Sequence, residues 1–214
     1  MEPIILRLPA SASRLRRWMS AAFLVATAGI AASCSPYSTH ALATPADTTF
    51  DDRFRGRWRA VADFGDSLSF ARAEVATGLG SVFTFQDTTG RADLGLRFVQ
   101  LGGSWFVDAQ IRPWQPGTVS PDNEANLSRH KRDHFIMRLE FHSDTLVAQP
   151  FCSGCLEDFH KAHPGQLGLK LKSGHYFSDY VLTDDTPKLR SFVAKVAGVD
   201  SMFGDYGFQF VRDH

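Results

Sequence analysis

His134-Phe135-Ile136-Met137-Arg138-Leu139-Glu140-Phe141-His142 is the stretch on which the fold turns. Phe135, Met137, Leu139 and Phe141 fall on one face of an extended chain, and Arg138, Glu140 and His142 fall on the other. A period of two is what a strand with one apolar and one polar face produces. Ser143-Asp144 then turns the chain into Thr145-Leu146-Val147-Ala148. The same alternation recurs on both sides. Before it come an opening strand at 57–64, a strand at 81–86 that meets the turn Asp87-Thr88-Thr89-Gly90, and the alternating Leu94, Leu96 and Phe98. Gly102-Gly103 is a two-residue hairpin signal that leads into Trp105, Val107, Ala109 and Ile111. After it, strands are expected at 168–172, 175–182 and 207–212. Residues 113–133 lose periodicity and gather Pro, Gly, Asn and Asp, which reads as a long surface loop.

One helix stands out against this background. Thr186 caps it, Pro187 suits the first helical position, and Leu189, Phe192, Val193 and Val196 repeat at helical spacing before Gly198 ends it. Many short antiparallel strands with one late amphipathic helix make a mainly β fold. Closing such a sheet into a barrel removes its exposed edges.

The N-terminus carries an address. A basic segment with Arg7, Arg14, Arg16 and Arg17 precedes an apolar run over 21–30 that is too short to span a bilayer. Small residues and a cysteine follow, Ala31-Ala32-Ser33-Cys34. Charge, apolar run and small-residue gate in that order form an export signal. The gate resembles the lipobox of bacterial lipoproteins, in which the cysteine receives the acyl chains. That resemblance implies a membrane anchor at Cys34, and Ser35 after it implies the outer membrane, facing the periplasm. Two or three acyl chains would hold firmly where one holds marginally. Ordinary cleavage at Ala41-Leu42-Ala43, giving a soluble periplasmic or secreted protein, is the alternative, and Arg16-Arg17 raises a twin-arginine route. The expected organisation is a signal peptide at 1–33, a flexible tether rich in Ser, Thr, Ala and Pro at 34–52, and one domain at 53–214.

Lys plus Arg equals Asp plus Glu at 23 each, so the chain offers no overall basic charge for nucleic acid. With Cys34 carrying lipid, Cys152 and Cys155 remain as an even pair, read as a local disulfide. Cys152-Ser153-Gly154-Cys155 with His160 and His163 superficially spells a zinc site, but the connector is cramped. A redox pair would need the motif at a helix N-terminus after a strand, and the context here reads as all-β. Leu156 stands where haem attachment needs a histidine. His130 and His134 lack the helix that would converge them, and all eight histidines read as surface or loop residues. Gly65-Asp66-Ser67 with Asp213-His214 faintly spells an esterase, against the fold. No G-x-S-x-G, P-loop or dinucleotide fingerprint occurs. The expectation is a protein that is not an enzyme and has no cofactor or resident metal.

Gly56-Arg57-Trp58 at the head of the first strand resembles the G-x-W of lipocalins. There the Trp packs across the barrel floor and a basic residue of the last strand covers it, which by resemblance is Arg212. Residues 98–108, 134–146 and 181–197 are similar to a family of bacterial lipocalin-like lipoproteins of poorly defined function. The resemblance implies a lipocalin-like antiparallel β-barrel with one C-terminal amphipathic helix. It also implies a small hydrophobic ligand or another envelope component as partner. The runner-up is a thiol/disulfide or metal-binding envelope protein using Cys152 and Cys155.

Overall fold

The computed structural model describes residues 36–61, 71–75, 81–87, 90–112, 128, 130–173, 178–204 and 207–213. The leader, Cys34, Gly65-Asp66-Ser67, most of the 113–133 loop and His214 lie outside the described residues. Ser35–His214 is one compact unit. Its strands are β1 (Tyr37–Ser38), β2 (Gly56–Val61), β3 (Ala71–Val75), β4 (Ser81–Asp87), β5 (Gly90–Leu101) and β6 (Ser104–Ile111). They continue with β7 (His134–His142), β8 (Thr145–Pro150), β9 (Leu169–Ser173), β10 (Ser178–Leu182) and β11 (Phe208–Asp213). Two helices, α1 (Ser153–Ala162) and α2 (Thr186–Val196), follow β8 and β10. The protein is mainly β.

The sheet is mixed and follows the order β6-β5-β4-β3-β2-β11-β8-β7-β1-β10-β9, with β6 also pairing β7. β1 runs parallel to β10, and the other pairings are antiparallel. The β5–β6 hairpin turns at Gly102-Gly103, whose φ values of 56° and 85° are left-handed. Both positions of such a turn demand this conformation, which is why two glycines mark it. Gly102 also passes against α2, where a Cβ would collide with the Ala194 carbonyl.

Two apolar clusters divide the strands by face. On one face Phe54, Trp58, Phe98, Val107, Leu139, Leu146 and Ala148 pack together, with Leu96, Trp105, Met137, Phe141 and Phe210 partly buried against them. On the other face Val99, Phe106 and Ile136 are covered by Leu156 of α1, by Leu189, Phe192, Val193 and Val196 of α2, and by Leu42 and Ala43. Burying such side chains contributes about 1.5–3 kcal/mol each.

Four expectations need correction. The stretch read as a tether at 34–52 is packed from Pro36 onward: it contributes β1 to the sheet and fully buried Leu42 and Ala43 to the core. The single-helix reading misses α1, which starts at the cysteine pair. The polar face of β7 is not simply the wet one, because Arg138 and His134 are buried under the helix side. The α2 cap is Asp185, whose carboxylate accepts the Lys188 N–H at 3.1 Å, one residue before the expected Thr186. Strand β3 was also unmarked in the sequence reading. No helix among the described residues is long and apolar enough to cross a membrane.

Candidate functional site

Gly56, Trp58 and Arg212 meet at one end of the sheet. A 3-10 turn at Asp52–Phe54, capped by the Asp51 carboxylate, delivers the chain into β2. Trp58 is buried, and its Nε1–H donates to the Phe54 carbonyl at 2.9 Å. Trp58 and Arg212 are register partners across β2 and β11. The Arg212 guanidinium lies 4.6 Å over the Trp58 ring, and its Nη1 and Nη2 donate to the carbonyls of Arg55 and Arg53, each at 2.8 Å. The planar fork thus stacks on an indole and ties two loose carbonyls of the entering turn, which an ammonium could not do with one geometry. Gly56 has φ 123°, and a Cβ there would stand 3.1 Å from Arg212 Nη1, so backbone and guanidinium together require glycine. The residues named from the sequence are therefore in contact.

Above this plate sits an aromatic stack. Phe54 lies parallel to Phe98 at 4.5 Å and edge-on to Trp105 at 5.2 Å, with Phe141 4.9 Å away. Arg53 caps Phe141 from outside, 4.7 Å over its ring, while its side chain binds Asp51. The side-chain hydrogen bond from Arg53 holds the Asp51 carboxyl below its usual range, with burial pulling the other way. Beyond the stack, Leu94, Leu96, Met137 and Phe210 remain only partly buried.

The helix-covered face hides polar residues that the sequence reading placed in water. Asp108 is 1 % exposed; its Oδ1 lies 2.7 Å from His134 Nδ1, and its Oδ2 accepts the Leu42 N–H at 2.8 Å. This half of a triad finds no nucleophile in Ser38, the register partner of His134. The Ser38 hydroxyl is fully buried and donates to the His40 carbonyl. The pair instead pins the N-terminal segment, because a buried carboxylate must be matched by donors. Arg138 is similarly matched by Gln149, Asp200 and the Ala197 carbonyl, and it lies 4.2 Å over Phe203. A small cavity of about 110 Å³ lined by Arg97, Asp108, Gln110 and Arg112 opens nearby.

Cys152 and Cys155 are joined by a disulfide, their Cα atoms 5.2 Å apart. The nearby histidines turn elsewhere: His160 Nδ1 faces the Leu167 carbonyl and His163 Nδ1 faces that of Phe159. His130 binds Asp133. The pair caps α1 directly after β8, so the all-β context assumed from the sequence was wrong. Asp213 ends β11, and its presumed partner His214 lies outside the described residues.

Against known families, curated proteins and solved structures the chain finds no match.

Proposed function

We propose that this is a lipid-anchored cell-envelope protein whose strands β2–β8 and β11 form a lipocalin-like barrel that holds a small apolar ligand without acting on it as an enzyme. The barrel reading is supported by the pairings. From β2 they run through β3, β4, β5, β6, β7, β8 and β11, and β11 pairs β2 again. The plate made by Trp58 and Arg212 would be its floor.

The observation that carries the ligand reading is incomplete burial. Leu96, Met137 and Phe210 share the face opposite the helices, yet they stay only partly buried beyond the aromatic stack that plugs one end. An apolar wall that its own side chains leave unfilled suits a small hydrophobic guest. Anchoring at Cys34 is supported by where packing begins. Cutting after Ala43 would remove Tyr37, Leu42 and Ala43, all buried, whereas cutting before Cys34 leaves the core whole.

Two measurements test these two parts. Mass analysis of the mature N-terminus should find acylated Cys34; a free Thr44 terminus overturns the anchor. A fluorescent fatty-acid probe should bind, and Met137→Trp, which fills the wall, should weaken it at least tenfold with thermal unfolding little changed. Unaltered affinity overturns the site.

A further inference from the structure

We propose that the Cys152–Cys155 disulfide is an exchange site that oxidises dithiols of partner proteins, with Cys152 the sulfur that is attacked. This stands independently of the barrel reading.

Its basis is position. β8 ends at Pro150, Cys152 is the N-cap of the ten-residue helix α1, and Cys155 lies in its first turn. The Cys155 N–H points at Cys152 Sγ, 3.2 Å away. A thiolate formed there would receive that donor and the positive end of the helix, the two influences that lower a thiol pKa. The acid one turn further on is occupied: Glu157 binds Lys161 Nζ at 2.6 Å and the Tyr180 hydroxyl.

The frame around the pair is held without the bond. Cys152 N–H donates to the Met202 carbonyl at 3.0 Å, and Gly204 N–H donates to that of Pro150 at 2.9 Å. Phe151 bridges Phe203, and Leu156 is fully buried. A link across two residues closes a loop too short to restrict the unfolded chain much. The disulfide is therefore of little use as a staple. Neither cysteine is fully buried, and Gly154 between them is exposed, with nothing within 4 Å of where a Cβ would stand. Cys155 packs against the helix-side core, which suits the resolving sulfur.

In the first step a partner thiolate attacks Cys152 Sγ, the Cys152–Cys155 bond breaks, and Cys155 leaves as thiolate. The partner's second thiolate then attacks its own sulfur in the mixed disulfide, and Cys152 leaves with the electron pair. Two electrons pass from the partner dithiol to the cysteine pair, and two protons are shared between solvent and the new thiols.

The test uses the full chain. After reduction, alkylation against pH should give Cys152 an apparent pKa at least one unit below the free-thiol value of about 8.5. The oxidised protein should convert a reduced two-cysteine peptide to its cyclic disulfide, and Cys152→Ser should not. Offered the oxidised peptide, Cys155→Ser should stall as a mixed disulfide through Cys152. A Cys152 pKa at or above the free value, or an oxidised wild-type protein that leaves the peptide reduced, overturns the proposal. Both readouts need only the unsubstituted protein, so a variant that failed to fold would not obscure them.

Discussion

The two faces of strands β5, β6 and β7 differ in a direction that their composition does not announce. On the helix-covered face Val99, Phe106 and Ile136 are at most 2 % exposed, and even Asp108 and Arg138 are sealed. On the opposite face Phe98, Val107 and Leu139 are buried, but Leu96, Trp105, Met137 and Phe141 stay partly exposed. The covered face seals even charged side chains, while part of the apolar face stays open. Two helices and the 36–52 segment cover the former, whereas the other face meets only its own curvature and an aromatic plug at one end. What seals the charged residues is the cover over their face, and it is the open part of the apolar face that the proposed ligand would use.

The largest effect should separate the two faces directly. Phe106→Ala removes a fully buried ring that faces Phe203 at 6.0 Å, and should cost about 3–5 kcal/mol. Met137→Ala, on the half-open wall, should cost no more than about 1–2 kcal/mol, since its site already meets solvent. Urea unfolding of the two variants measures both. Equal losses would mean that the open wall is as tightly packed as the sealed face, and the contrast would fail.

Alternation in the sequence was enough to locate most strands, the Gly102-Gly103 hairpin and α2, because period-two and period-3.6 patterns are local. The pairing of Gly56 and Trp58 with Arg212 came instead from the resemblance to the lipocalin G-x-W, and Arg212 does lie over Trp58. What alternation missed was decided at long range. Asp108 carries no local signal of burial, yet it accepts the backbone N–H of Leu42 across 66 residues of chain. Residues 36–52 look like linker because their composition is, but Leu42 and Ala43 are fixed by that same carboxylate. Helix α1 offered only Leu156 as a buried residue and carries Gly154, too little periodicity to register. Four of the five residues of β3 are alanine or charged, with weak strand preference.

The Trp58–Arg212 plate should yield an intermediate effect. Arg212→Ala loses two hydrogen bonds to carbonyls and the stacking on Trp58, and should cost about 1–3 kcal/mol. Arg212→Lys should recover only part, because an ammonium cannot bridge the Arg53 and Arg55 carbonyls while lying flat on an indole. Tryptophan fluorescence during unfolding follows the site itself. If Lys restored full stability, charge alone would hold the plate, and the fork geometry would be incidental.

The smallest effect concerns pH and belongs to the plugged end. Arg53 holds the Asp51 carboxyl below its usual range, chiefly through their side-chain hydrogen bond. A carboxyl whose folded pKa is depressed contributes stability that is complete above its unfolded pKa of about 3.9 and is lost as pH falls through the folded value. Asp51→Asn should therefore lower the urea midpoint slightly at pH 7, by no more than about 1 kcal/mol for so accessible a pair. The gap between the two proteins should narrow as pH falls below the unfolded value of about 3.9 and native Asp51 takes up its proton. Phe106→Ala should show no such convergence, because its loss is apolar and carries no proton. A pH-independent gap for Asp51→Asn would mean that the side chain acts only as the cap of the 3-10 turn, accepting the Arg53 N–H at 2.8 Å, and not through its charge.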